Sequence, residues 1–148
     1  MEKITLSHSE FLDKYLRTAQ DEDGWFWYQC VDLAKLYSTE VLDVPLGSFG
    51  GSAFTGWLNT KKTFDPKKWE KIEWKPWLVP KRGDIIFYDK TKENLNWHVA
   101  ICDSANKLDI TVVEQNGASG NWAWKGYDQV NLETKRDYRG ILGWYRLK

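Results

Sequence analysis

His98-Val99-Ala100-Ile101-Cys102, followed by Asp109-Ile110-Thr111-Val112-Val113-Glu114, is the stretch that decides the fold of this 148-residue chain. Both runs are short, rich in β-branched residues and bounded by polar ones, which predicts two strands. Side-chain alternation puts His98 on the face of Ala100 and Cys102, and Glu114 on the face of Val112 and Ile110. If the strands pair as a hairpin, the ends carrying His98 and Glu114 become neighbours. Asp84-Ile85-Ile86-Phe87-Tyr88 and Gly140-Ile141-Leu142-Gly143-Trp144-Tyr145-Arg146 read as two further strands of the same sheet.

Upstream the period changes. Ser7-x-x-Glu10 is a capping-box pattern, and Phe11, Leu12, Tyr15 and Leu16 follow at helical spacing, which predicts a helix from Ser7 to Ala19. A polar loop from Gln20 to Gly24 leads through Trp25-Phe26-Trp27-Tyr28 into a second helical run carrying Val31, Ala34, Tyr37 and Val41, with Cys30 in its first turn. Gly47, Gly50 and Gly51 imply a loop, with one helical turn near Phe54–Leu58. The basic, Trp-bearing stretch between Gly56 and Pro80 has no clear pattern. Helices first and an antiparallel sheet after predict an α+β domain, one unit over residues 1–148.

Composition narrows the function classes. Hydrophobic residues make up 42% of the chain, so it is globular. Its 21 basic and 21 acidic residues cancel, so no global field recruits nucleic acid or an anionic membrane. Ten Trp are too many for a core of this size to hold, and some are expected at the surface. The start, Met1-Glu2-Lys3-Ile4-Thr5-Leu6, is too polar for a secretory signal, and no run of about 18 apolar residues occurs. The expectation is a soluble protein synthesised in a cytoplasm without a signal peptide or stable membrane insertion. Two cysteines exclude a disulfide framework, although a single Cys30–Cys102 bridge stays open and would silence Cys30 chemistry.

Cys30 is the natural starting point for chemistry, because a helix start surrounds a thiol with backbone N–H groups and the positive dipole end, and both favour the thiolate. A cysteine hydrolase also needs an imidazole and a polar group that orients it. His98 supplies the first. Glu114 and Asn116 share a strand parity that can aim both at that ring, and either could hold it. Each residue alone has a plain structural reading: a small buried cysteine, a satisfied strand histidine, a solvated turn. Their joint order favours catalysis. The other pair fits less well, since His8 belongs to the first helix's cap and Cys102 to the core.

Gln29-Cys30-Val31-Asp32-Leu33-Ala34, Gly83-Asp84-Ile85-Ile86-Phe87, His98-Val99-Ala100-Ile101, Val113-Glu114-Gln115-Asn116 and Gly143-Trp144-Tyr145-Arg146 together resemble a CHAP domain, the cysteine, histidine-dependent amidohydrolase/peptidase family. The resemblance covers nearly the whole chain. It implies a papain-like α+β fold, with N-terminal helices packed on a C-terminal antiparallel sheet, and amidase or endopeptidase cleavage of bacterial peptidoglycan, as in phage endolysins and virion-associated lysins. It makes Cys30 the nucleophile, His98 the general base and acid, and Glu114 the orienting group, with Asn116 assisting. The backbone N–H of Cys30 is the first oxyanion donor, and Gln29 or Tyr28 is the candidate for a second. Family members commonly carry Gly before the histidine; here Trp97 stands there, and with Trp122 it is expected to line a substrate groove.

Asp21-Glu22-Asp23-Gly24 with Asp32 offers the oxygen-rich turn that calcium takes, although such carboxylates are often only solvated. Phe26, standing where an EF-hand needs glycine, excludes that loop. The resemblance implies a structural calcium ion held by Asp21, Asp23 and Asp32, with carbonyls of Trp25 and Trp27. Cys30, Cys102, His8 and His98 show no close pairing of the kind zinc requires.

Two other readings stand beside this one. An NlpC/P60-type wall peptidase also pairs Cys with a strand-opening His, but its nucleophile follows Asp and precedes Ser-Gly. A non-catalytic Trp-rich cell-wall or glycan-binding module is the other. With Lys148 directly after the last strand, the expectation is a monomer or part of a larger lysin, reaching the wall after release or on a virion.

Overall fold

The computed structural model describes residues 5–16, 30–50, 53–89, 97–115 and 130–148. Its elements run α1 (His8–Tyr15), α2 (Cys30–Glu40), α3 (Ala53–Leu58), β1 (Trp69–Glu73), β2 (Ile85–Tyr88), β3 (His98–Ala105), β4 (Ile110–Gln115), β5 (Val130–Arg136) and β6 (Ile141–Leu147). The helices precede a six-stranded antiparallel sheet of order β1-β6-β2-β3-β4-β5, the expected α+β arrangement. No helix among the described residues is long and apolar enough to cross a membrane.

α1 begins as its sequence dictates. The Ser7 side chain accepts from Glu10 N–H at 3.1 Å, and the Glu10 carboxylate accepts from Ser7 N–H at 3.0 Å, so two otherwise orphaned donors are satisfied. The helix ends at Tyr15, short of the expected Ala19, because Leu16 turns to an extended ψ of 133° and packs on the core. Phe11 is fully buried, where its ring meets Tyr37 of α2 edge-on at 5.0 Å. His8 ties three elements together: its Nδ1 lies 2.8 Å from the Tyr37 hydroxyl, and its Nε2 donates to Asp103 at 2.7 Å. Asp103 is the extra residue where the β3–β4 register shifts, and that bulge brings it to His8.

The sheet carries apolar side chains on both faces. Ile85, Phe87, Val99, Ile101, Val113 and Tyr145 join the helices in one core. Ile86, Tyr88, Ala100, Cys102, Ile110, Val112, Ile141 and Trp144 form a second. Each fully buried large side chain contributes about 1.5–3 kcal/mol. The 69–73 stretch, without a clear pattern in the sequence, is an edge strand paired with β6. β5 was likewise not expected.

Candidate active site

Three elements deliver three side chains. α2 starts at Cys30, so the half-buried thiol sits at the first turn, where backbone N–H groups have no partner within the helix. His98 opens β3 and Glu114 stands near the end of β4, and they are only 2% and 5% exposed. The predicted hairpin forms, with Ile101 opposite Val113, and it brings the two polar ends together. His98 Nε2 donates to Glu114 Oε2 at 3.1 Å. On the neighbouring strand Tyr88 pairs in register with His98, and the two rings stack with centroids 6.1 Å apart.

That leaves Nδ1, which is buried and has no well-aligned hydrogen-bond partner among the described residues. The Cys30 thiol is close enough to act on the imidazole by hydrogen bonding and by charge. Burial pulls the His98 pKa down, but the Glu114 carboxylate and Cys30 outweigh it, and the net result is a pKa raised to about 9. The raised pKa favours the imidazolium at neutral pH, with one ring nitrogen held by the carboxylate and the thiol near enough to the ring to share its charge. Such a pair can stabilise a thiolate and hand a proton to a leaving group.

Asn116 and Gln29 lie outside the described residues, as do Asp21, Asp23, Trp25, Trp27 and Trp122. Of the expected calcium ligands Asp32 alone is described. It is 1% exposed in the first turn of α2, a hard oxygen donor of the kind calcium takes. Among the described residues no group of three or more His, Cys, Asp or Glu is arranged to hold a metal ion. Cys102 is fully buried, its thiol pushed up to about 12 by burial, and neither cysteine is in a disulfide. The family model for the CHAP domain matches residues 20–116, about two thirds of the chain.

The chain belongs to the CHAP domain family.

Endolysin PlyTW of Staphylococcus phage Twort is 28% identical to this CHAP domain over 155 residues, covering 96% of the chain and 30% of the phage protein. The crystal structure of wild-type endolysin LysIME-EF1 superposes with a TM-score of 0.59 at 18% identity, over 92% of the chain and 60% of that structure. The CHAP domain thus spans under a third of the curated relative. Trp97 remains its own feature, half-buried beside His98 and stacked on Phe54 of α3 with centroids 4.4 Å apart and 17° between planes. Phe54 was not singled out by sequence reasoning. Its single helical turn gave no sign of which ring it would meet.

Proposed function

We propose that this CHAP domain hydrolyses an amide or peptide bond of bacterial peptidoglycan, with Cys30 as nucleophile, His98 as general acid and base, and Glu114 as the group that orients and charges the imidazole. The observation that carries the reading is the buried His98–Glu114 pair, whose remaining ring nitrogen is left for the thiol at the head of α2. The Cys30 sulfur bonds to the carbonyl carbon as the C–N bond breaks, and the Nδ1 proton of His98 passes to the leaving amine. Water then gives a proton back to Nδ1, its oxygen bonds to the acyl carbon, and the thiolate departs. The Cys30 N–H, at the free end of the helix, suits the oxyanion, with Gln29 as second donor and Asn116 assisting Glu114. Trp97 and Trp122 line the groove.

Substrate is met at the cell wall, by a monomer or by this domain within a larger lysin that reaches the wall after release or on a virion. The test compares wild type with Cys30→Ala on a suspension of purified cell walls. Wild type clears and releases new amino or carboxyl ends, whereas the variant does not; clearing that survives the substitution removes Cys30 from the mechanism.

A structural calcium ion belongs to the same proposal, held by Asp32 with Asp21, Asp23 and the carbonyls of Trp25 and Trp27. Bound two residues from Cys30, it would brace the start of α2 and add positive potential there. Calorimetric titration with calcium chloride alone is expected to give saturable binding that Asp21→Asn and Asp32→Asn each weaken. Absence of binding heat in wild type overturns it.

A further inference from the structure

A second aromatic site lies on the same sheet face as His98. Trp74 follows β1 directly, and its N–H donates to Leu142 O at 3.1 Å. Its ring stacks on Tyr138, with centroids 6.0 Å apart and 17° between planes, and both half-buried rings rest on the second core. Leu78 N–H closes a turn on Lys75 O at 2.9 Å, and the residues between them are Pro76 and Trp77. Trp77 is 71% exposed. A single exposed apolar side chain is ordinary, but here the exposed Trp77 follows within one turn of the half-buried Trp74–Tyr138 pair, and grouped aromatics at a surface mark a contact site.

The position of this site is set by the register of four strands. Glu73, Gly143, Phe87 and Val99 form one cross-strand row over β1, β6, β2 and β3. Trp74 lies one residue beyond that row at one end, and His98 one residue beyond it at the other. They share the same end of the sheet, three strand spacings or about 14 Å apart. A polymer lying across this end would meet both.

We propose that Trp77, three residues beyond the stacked Trp74, binds the glycan strand of the cell wall, a subsite separate from Cys30 that holds the polymer while its peptide enters the cleft. The substrate class rests on the function proposed above; the site itself does not. A sugar ring offers a flat C–H face to an indole and hydroxyls at its rim, and the exposed Lys75 in the same turn as Trp77 supplies a donor for such hydroxyls. A second protein copy fits poorly, because a stable dimer needs about 800 Å² from each partner and one Trp offers at most about 250 Å².

The test uses glycan strands freed of their stem peptides and the full chain carrying Cys30→Ala, so that no hydrolysis intervenes. Co-sedimentation is expected to weaken about tenfold on adding Trp77→Ala and to be largely kept by Trp77→Phe, with thermal midpoints alike. Equal binding by Trp77→Ala overturns the proposal, as does wild-type binding only to strands that keep their peptides. Trp77-dependent dimers in sedimentation velocity also overturn it. Failure of the catalytic reading appears separately, as wild type that pellets with glycan through Trp77 yet clears no walls.

Discussion

Glu114 holds His98 by one ring nitrogen, Oε2 to Nε2 at 3.1 Å, from a position where neither side chain meets much water. The carboxylate therefore fixes both ring orientation and charge. Glu114→Gln keeps the shape and removes the charge, so burial, which favours the neutral ring, gains the upper hand. Turnover at neutral pH is expected to fall by about 10²- to 10⁴-fold. The alkaline limb of the pH–rate profile should move to lower pH. An unmoved limb would mean that Glu114 does not set the charge of His98.

The same pair makes stability depend on pH. His98 binds its proton more tightly folded, with a pKa of about 9, than unfolded, where histidine titrates near 6.5. Its contribution is thus fully present below about 6.5 and is lost as pH rises through about 9. Thermal midpoints of wild type should decline over that window, and those of Glu114→Gln should decline less. Nitrogen chemical shifts of the ring, followed across the same range, identify His98 as the titrating group.

Among the described glycines, Gly143 is the one least able to accept a side chain. Its φ is +150°, and an added Cβ would lie 2.1 Å from Ile72 O and 2.7 Å from the Trp57 ring. Gly143→Ala is expected to cost about 2–4 kcal/mol in denaturant unfolding, through strain and forced separation of β1 from β6. Gly140, with φ +77° but nothing within 4 Å, is the control: Gly140→Ala should cost only about 1 kcal/mol. Equal costs would contradict the close β1–β6 approach.

Phe54 supports Trp97 by stacking, so Phe54→Ala leaves the indole beside His98 without its parallel neighbour. If Trp97 lines the groove, KM should rise roughly fivefold, the equivalent of about 1 kcal/mol, with kcat little changed. Phe54→Tyr should restore it. A fall in kcat with unaltered KM would place the stack in the chemistry instead.

Much of this architecture was legible because local chemistry and tertiary demand agree. The Ser7–Glu10 box starts α1, Cys30 starts α2, and four strongly apolar runs become β2, β3, β4 and β6. That His98 and Glu114 meet follows from strand parity once the two strands pair as a hairpin, and they do. β1 and β5 could not be read this way. Trp69-Glu70-Lys71-Ile72-Glu73 and Val130-Asn131-Leu132-Glu133-Thr134-Lys135-Arg136 are rich in charged and polar residues, because strands at the two edges of the sheet need less apolar surface and resist stray pairing. His8 was assigned to a cap, whereas its ring joins Tyr37 and Asp103 across 29 and 95 residues, a contact no local pattern encodes. The Trp74–Tyr138 stack is equally non-local.

The two apolar faces of the sheet carry a consequence for folding fidelity. In a sheet with one wet face, a slip by one residue pushes greasy side chains into water and is punished at once. Here a slipped strand would exchange one apolar set for another and lose little. It would still turn His98 away from Glu114 and leave the catalytic pair unmade. The register shifts at Phe87/Tyr88, Cys102/Ser104 and Ile110/Val112 act as keys against that outcome, since each interruption fits its partner strand in a single alignment.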